Sequence, residues 1–97
     1  MNLNLCRVCG LELDFAPWGE DGDTPSYDFC PCCDTEFGFE DSSYEAVKSQ
    51  RAQWLQGGAN WNEPQEKPQD WDLADQLNAV IHERSALLEA LKKAGKL

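Results

Sequence analysis

Apolar and polar residues alternate along the first part of the chain. Apolar side chains occupy every second position at residues 11–15, and again at residues 37–39. A period of two is typical of a half-buried β-strand. Residues 17–25 combine glycine, proline and acidic residues, which predicts a loop between the two alternating segments. We therefore expect a β-hairpin within residues 1–41.

A helical period replaces this alternation after residue 41. Ser42 and Glu45 have the spacing of a capping box, so a first helix is expected to begin at Ser42. Gly57 and Gly58 are expected to end it, because glycine readily adopts the left-handed conformation that is common at helix ends. The apolar face of this helix carries Tyr44, Val47, Trp54 and Leu55.

A second, longer helix is predicted from Asp72, a favourable N-cap residue, to about Ala94, before Gly95. Packing against the first helix and the N-terminal unit explains its apolar stripe. A continuous helix of this length would reach about 33 Å at 1.5 Å per residue, so its end at residues 87–91 is also a candidate docking site for another chain. The stripe consists of Leu73, Leu77, Val80, Ile81, Leu88 and Leu91.

The segment between the predicted helices, residues 59–71, has no hydrophobic period. Pro64 and Pro68 disfavour a regular helix there. Trp61 and Trp71 are large enough to pin this irregular connector to the core. No internal repeat is evident in the sequence.

Five cysteines lie in two clusters, with C-x-x-C pairs at residues 6–9 and 30–33. This spacing is typical of a tetrahedral zinc site with four thiolates, because each C-x-x-C turn brings two sulfurs to one edge of the tetrahedron. The residue after each pair often needs a positive φ angle, which Gly10 adopts freely and Asp34 tolerates. Four thiolates leave no open coordination position, so the predicted single zinc ion is structural. Its predicted ligands are Cys6, Cys9, Cys30 and Cys33.

One position in this ligand set stays open, because Cys30, Cys32 and Cys33 compete for two coordination positions. Cys30 and Cys33 reproduce the spacing of the first pair and are therefore the predicted ligands. Cys32 would then be a small packed residue, or a thiol whose oxidation could eject the metal.

No constellation in the sequence predicts an active site. His82 is the only histidine, and it falls near the middle of the predicted second helix, where a surface or interface role is ordinary. A Ser/His/Asp set, a phosphate-binding glycine loop and a matched acid pair are all absent from the sequence. The acids of residues 20–23 lack the ligand spacing of a calcium loop. We therefore expect a protein that is not an enzyme.

Charge is distributed unevenly along the chain, whose net charge is −10. Residues 1–45 hold eleven acidic residues and one basic residue, whereas residues 46–97 hold seven of each. Nucleic-acid binding is disfavoured, because phosphate contacts need Lys and Arg. An acidic face suits solubility or a basic protein partner. The candidate contact residues are Glu20, Asp21, Asp23, Glu40 and Asp41.

No apolar run approaches the ~20 residues that a membrane-spanning helix needs. Residues 1–5 leave no room for a signal peptide before the first cysteine. We therefore expect a cytoplasmic protein without a membrane partner, whose cysteines bind metal instead of forming disulfides.

Together these patterns predict a small α+β fold. A zinc-ribbon-like β-hairpin unit would be followed by two α-helices joined by the irregular Pro/Trp connector. With 97 residues, the chain suffices for one core. We therefore expect residues 1–97 to form a single domain, with residues 1–41 as the zinc-ribbon-like unit and residues 42–97 as the helical part. The oligomeric state is not predicted.

The cysteine clusters and their flanks resemble a known family. Residues 30–33 read C-P-C-C and are followed by E-F-G-F-E-D at 36–41, while C-x-x-C-G and P-W-G-E-D-G lie upstream at 6–10 and 17–22. T-P-S-Y at 24–27 continues the second of these segments. The chain thus resembles small bacterial cysteine-rich proteins with a C-P-C-C motif, through the first predicted helix to Trp61. It departs from them at Asp34, where they generally have glycine.

This resemblance implies a zinc-ribbon-like fold and gives the leading functional hypothesis. Some similar proteins look like immunity proteins of bacterial toxin systems, which implies a protein-binding module that neutralises a cognate toxin. An acidic surface suits this antitoxin role if the partner is a basic toxin. The alternatives are a zinc-ribbon adaptor in another protein complex, a thiol or zinc redox sensor that uses Cys32, and a nucleic-acid-binding ribbon.

Overall fold

In the described part of the chain, helices lie only after residue 43. The computed structural model describes residues 2–97. Within them lie three α-helices, with a short 3-10 turn at Pro64–Glu66 between the first and the second. The helices are α1 (Tyr44–Gln56), α2 (Leu73–Leu77) and α3 (Arg84–Lys93).

The predicted α+β fold with a zinc-ribbon-like β-hairpin unit is wrong, because no residue in the described part of the chain belongs to a β-strand. Antiparallel pairing stops at two isolated bridges, Leu5 with Glu12 and Phe29 with Glu36. The alternation nevertheless reports burial, since Leu13 is buried while its neighbours at 12 and 14 are exposed. The second alternating segment is less consistent, because Phe37 is buried but Phe39 is exposed. A strand also needs a partner over several residues.

The first predicted helix is present, with its start shifted. Its N-cap is Ser43 and not Ser42, since the Ser43 hydroxyl accepts a hydrogen bond from the Ala46 N–H at 3.0 Å. Its end follows the prediction. Gly58 has a φ of +103° and donates its N–H to the Leu55 carbonyl at 2.9 Å, as in a glycine-terminated helix.

The second predicted helix is broken into two. Asp72 caps α2 as expected, accepting from the Asp75 N–H at 3.2 Å. However, α2 ends at Leu77, and α3 begins only at Arg84. The intervening turn contains β-branched Val80 and Ile81, which are less favourable in helices than straight-chain residues.

The break at residues 78–83 lets the apolar stripe close on one core. Ile81, Ala90 and Ala94 are buried in a cluster with Leu55 of α1, whereas one continuous helix would carry its last turns away from it. Leu87 and Leu91 pack against this cluster. Residues 87–91 are therefore mainly part of the core, with Leu88 exposed.

Two apolar clusters make up the core, and two tryptophans pack against both. The first surrounds the cysteines and includes Phe37 and Trp61, while the second lies among the three helices. Trp54 and Trp71 contact both clusters. As predicted, the connector is held by its tryptophans, with the rings of Trp61 and Trp71 in an edge-to-face pair at 5.9 Å. None of the helices in residues 2–97 is long and apolar enough to span a membrane.

Candidate metal centre

Four of the five cysteine sulfurs meet in one cluster. The Sγ atoms of residues 6, 9, 30 and 33 all lie within 4.8 Å of one another, and all four residues are buried. The Sγ atoms of Cys6 and Cys33 are 3.6 Å apart, and those of Cys9 and Cys30 are 3.7 Å apart. Zinc–sulfur bonds of about 2.3 Å in a tetrahedron require sulfur–sulfur edges of about 3.8 Å. The cluster therefore has metal-binding geometry, and its members are the four predicted ligands.

Each sulfur pair sits on a tight hydrogen-bonded turn. In the first turn, the Gly10 N–H donates to the Cys6 carbonyl and the Cys6 N–H donates to the Leu11 carbonyl, both at 2.9 Å. Gly10 has a φ of +84°, a conformation that glycine adopts without steric cost. Outside this turn, Leu13 donates to the Asn4 carbonyl at 2.8 Å. We call residues 4–13 the first cysteine loop.

Residues 28–37 repeat this pattern and form the second cysteine loop. The Asp34 N–H donates to the Cys30 carbonyl and the Cys30 N–H to the Thr35 carbonyl, both at 2.9 Å, while Phe37 donates to Asp28. Every donor and acceptor is shifted by the separation from Cys6 to Cys30, 24 positions. The repeat was missed in the sequence because few residues besides the cysteines match between the loops.

The repeat places Cys32 at the position of Val8. Both side chains are fully buried, and the Cys32 sulfur is not among the four that cluster. It accepts instead from Nε2 of Gln76 in α2, at 3.4 Å. The Cys33 sulfur lies in the cluster and is 3.0 Å from the Thr35 hydroxyl. The sulfur cluster thus includes Cys33 and leaves out Cys32, and the assignment of Cys33 as a ligand stays a prediction.

Arg51 of α1 fastens the first cysteine loop and was not singled out in the sequence. Its Nε donates to the Val8 carbonyl at 2.7 Å, and its terminal NH2 donates to the Arg7 carbonyl at 2.8 Å. Burial lowers the pKa of Arg51, which the neighbouring cysteine thiolates oppose, and a guanidinium stays charged in proteins. The sequence did contain a signal for this contact, because Arg51 lies four residues after Val47 and therefore on the apolar face of the helix.

Gln76 fastens the same loop from α2. Its Nε2 donates to the Cys9 carbonyl at 3.2 Å, and its Oε1 accepts from the Trp71 indole at 2.8 Å. A Cβ at Gly10 would collide with the backbone carbonyl oxygen of Gln76. The helix therefore lies directly on the first loop, at a position that only glycine permits.

Burial also sets the chemistry of the sulfurs. Desolvation, followed by hydrogen bonding among the neighbouring thiols, raises the pKa of Cys9 well above its ordinary value. Burial therefore favours the neutral form of the Cys9 thiol when no cation is near, whereas hydrogen bonds from the neighbouring cysteines lower the pKa of Cys30. A divalent metal is the group that makes four clustered thiolates stable at neutral pH.

Two of the predicted acidic contact residues have structural roles. Asp41 is fully buried, and it accepts from the Trp18 indole at 2.8 Å and from the Gly38 N–H at 2.7 Å. Glu40 is half-buried and accepts from the Glu36 N–H at 2.9 Å. The prediction that Asp41 contacts a partner is therefore wrong, because a side chain with no exposed surface cannot do so.

The other three predicted contact residues, Glu20, Asp21 and Asp23, are exposed. Asp21 accepts from the Asp23 N–H and from the Thr24 hydroxyl, both at 2.9 Å. These hydrogen bonds lower the pKa of Asp21, the backbone N–H having the larger effect. The loop is thus locally ordered and keeps its negative charge.

His82 is not part of the sulfur cluster. It is exposed in the turn between α2 and α3, not in the middle of a helix as predicted. There it lines an open groove of about 1070 Å³ between α1 and α3, to which no cysteine contributes. In the described residues, the candidate metal ligands are therefore the four clustered cysteine sulfurs.

Comparison with known proteins identifies a bacterial relative. No family model matches the chain, and no solved structure matches it. The chain is 30% identical over 95 residues to the uncharacterized protein YozI of Bacillus subtilis (strain 168), a match covering 81% of this chain and 78% of the relative. The chain belongs to the family of YozI.

Proposed function

We propose that this protein is a non-enzymatic, zinc-bearing module that binds another protein. The observation that carries the metal assignment is the cluster of four buried sulfurs, with Sγ separations of 3.6 and 3.7 Å. Tetrahedral four-sulfur sites suit zinc or iron–sulfur chemistry, and these short edges suit a single central ion. With all four positions filled by thiolates, the ion has no site for a substrate and acts as a structural cross-link.

The cross-link organises the surface as well as the core. It joins the two cysteine loops, and Arg51 and Gln76 connect the first of them to the helices. The free energy of metal binding in such small modules is also free energy of folding. A chain of 97 residues thereby holds its loops rigid for recognition. A reducing compartment such as the cytoplasm preserves the thiolates, and we assign the protein to it.

The partner in this proposal is a basic protein, and the leading candidate is a bacterial toxin that this chain neutralises. Residues 8–47 contain no Lys, Arg or His, and Glu20, Asp21 and Asp23 are exposed on this half. The electrostatic field of this acidic half accelerates the approach of a basic surface and disfavours the binding of nucleic acid. Four thiolates on one dication add two further negative charges to the same half.

Native mass spectrometry of the purified full chain tests the metal. The proposal requires one zinc ion per chain, released together with loss of tertiary structure when a strong chelator is added. Bound iron with inorganic sulfide, or a chain that stays folded without metal, would contradict it.

Co-expression tests the toxin assignment. The product of the gene adjacent to the one encoding this chain is expressed with and without it, and growth is measured. Rescue that is lost in a zinc-deficient variant supports the immunity role. Absence of rescue, together with stable co-purification with a housekeeping complex, would favour the adaptor role instead. Loss of zinc under mild peroxide, reversed by reductant, would favour a redox sensor.

A further inference from the structure

Three aromatic side chains next to the second cysteine loop are exposed. Tyr27, Phe29 and Phe39 are 60%, 54% and 72% exposed, respectively, and we call them the aromatic face. Scattered apolar side chains on a surface are ordinary, but a group of large ones marks an interaction site.

Because the two cysteine loops repeat one pattern, the aromatic face can be compared with the equivalent positions of the first loop. The equivalent residues of the first loop are Leu3, Leu5 and Phe15, and all three are at least half-buried. Leu3 and Leu5 line a small cleft with Trp18 and Val80, and Phe15 packs against the cysteine cluster. The same three positions are therefore covered by the chain itself in one loop and left uncovered in the other.

Tyr27 of the aromatic face is held in place by its backbone and its neighbours. Tyr27 has a φ of +62°, which is strained for a bulky residue. Pro25 and the Tyr27 ring pack over Gly38, where an added Cβ would collide with Pro25 and lie 2.9 Å from Cε1 of Tyr27. A strained conformation persists only where its surroundings determine it. Tyr27 is therefore preorganised in its outward position.

The charged residues within residues 27–40 are all acidic. Asp28 and Asp34 are exposed, and Glu36 and Glu40 are half-buried. Aromatic rings attract guanidinium and ammonium groups through cation–π interactions, and the carboxylates add long-range attraction. The stems of Arg and Lys also cover apolar surface while their charged ends stay hydrated.

We propose that the aromatic face, with its acidic rim, is the surface on which an arginine- or lysine-bearing segment of a protein partner docks. The inference rests on the proposed function and specifies where its basic partner binds. The equivalent positions of the first loop are half-buried by intramolecular packing, so the second loop is the more open of the two to a partner.

Titration of the zinc-loaded full chain with a short oligoarginine peptide tests this assignment, with oligoglutamate as the control peptide. The variant replaces the whole face (Tyr27→Ser, Phe29→Ser and Phe39→Ser), and Tyr44→Ser is the matched control, since Tyr44 is 74% exposed and lies outside the face. We expect the triple variant to bind oligoarginine about tenfold more weakly, from the loss of three exposed cation–π contacts. Tyr44→Ser should bind like the wild type.

The possible results separate the two proposals. If oligoarginine binds the wild type and the triple variant equally well, the aromatic face is not the docking surface, whereas the basic-partner proposal stands. If the wild type does not prefer oligoarginine to oligoglutamate, this inference fails, and growth rescue still decides the toxin assignment independently. A dimer of the wild type that the triple change dissociates would give the face to a second copy and overturn the inference. Should the triple variant lose zinc, Phe39→Ser alone replaces it, with a smaller expected loss of affinity.

Discussion

The two cysteine loops have the same hydrogen-bond pattern but different surroundings. Helices contact the first, because Arg51 donates to its carbonyls and α2 lies on Gly10. The equivalent carbonyls of the second loop, those of Pro31 and Cys32, accept instead from the connector, from the backbone N–H groups of residues 63 and 62 at 2.9 Å. The second loop carries exposed Asp34 at the position equivalent to Gly10. The same turn geometry therefore connects the metal cluster to the helices in the first loop and to the connector in the second, where Asp34 faces solvent.

The comparison also explains the difference in sequence between the loops. Where α2 lies on the turn, only glycine fits, because any Cβ would meet the Gln76 carbonyl. Where the turn faces solvent, exposed Asp34 keeps a φ of +64°. Buried positions equivalent in the two loops accept different small side chains, as Val8 and Cys32 illustrate.

The largest expected effect separates the two adjacent cysteines of the second loop. Cys33→Ser should abolish zinc binding and unfold the N-terminal half, since binding in small zinc modules contributes on the order of 10 kcal/mol to folding. Cys32→Val, which copies Val8 into the second loop, should keep both zinc and fold. Native mass spectrometry and thermal unfolding measure the two outcomes. Zinc retained by Cys33→Ser but lost from Cys32→Val would reverse the ligand assignment.

The next effect tests the contact between α2 and the first loop. Gly10→Ala should lower the free energy of unfolding by about 3 kcal/mol, because it combines left-handed strain with a backbone collision. Gly95→Ala is the control, since Gly95 has a φ of +74° but nothing within 4 Å of an added Cβ. It should cost about 1 kcal/mol, from the left-handed conformation alone. Equal losses in denaturant unfolding would mean that α2 does not press on this loop.

A third substitution removes the tie between α1 and the first loop. Arg51→Met keeps the apolar stem but leaves the Val8 and Arg7 carbonyls without their donors, which should cost about 2 kcal/mol. Arg84→Met is the control, because Arg84 is exposed at the start of α3. Denaturant unfolding with zinc bound compares the two. A loss no larger than that of Arg84→Met would show that the first loop holds its position without α1.

The cysteine cluster could be predicted from the sequence because its signal is local. Each C-x-x-C turn determines the positions of two sulfurs, and Gly10 and Asp34 take the positive φ angles expected after it. The supporting contacts of Arg51 and Gln76 could not be predicted in the same way. They join residues far apart in the chain, so they depend on how the helices pack.

The wrong predictions have a related cause. Alternation at residues 11–15 reports burial, but one bridge between Leu5 and Glu12 is all the pairing that forms. The apolar period after Asp72 continues through the turn at residues 78–83, so the sequence pattern does not reveal the break. Both patterns indicate most of the side chains that face the core, with Leu88 as an exposed exception, and neither indicates how the backbone reaches it.

The smallest expected effect lies in the second loop, at Asp34, and it has the opposite sign. Asp34→Gly should raise the free energy of unfolding by about 0.5 kcal/mol, because relief of the left-handed conformation slightly exceeds the entropy cost of a glycine in the unfolded chain. Removing a carboxylate beside the thiolates should also raise the free energy of unfolding.

Asp34→Ala is the matched control and should be destabilising, since alanine tolerates a φ of +64° less well than aspartate. Unlike Gly10→Ala, it should cost only conformational strain, because Asp34 is exposed. Denaturant midpoints at fixed zinc concentration rank the wild type, Asp34→Gly, Asp34→Ala and Gly10→Ala. If Asp34→Gly proved as destabilising as Asp34→Ala, the Asp34 carboxylate would itself stabilise the turn, and the two loops would differ in how they are held as well as in what covers them.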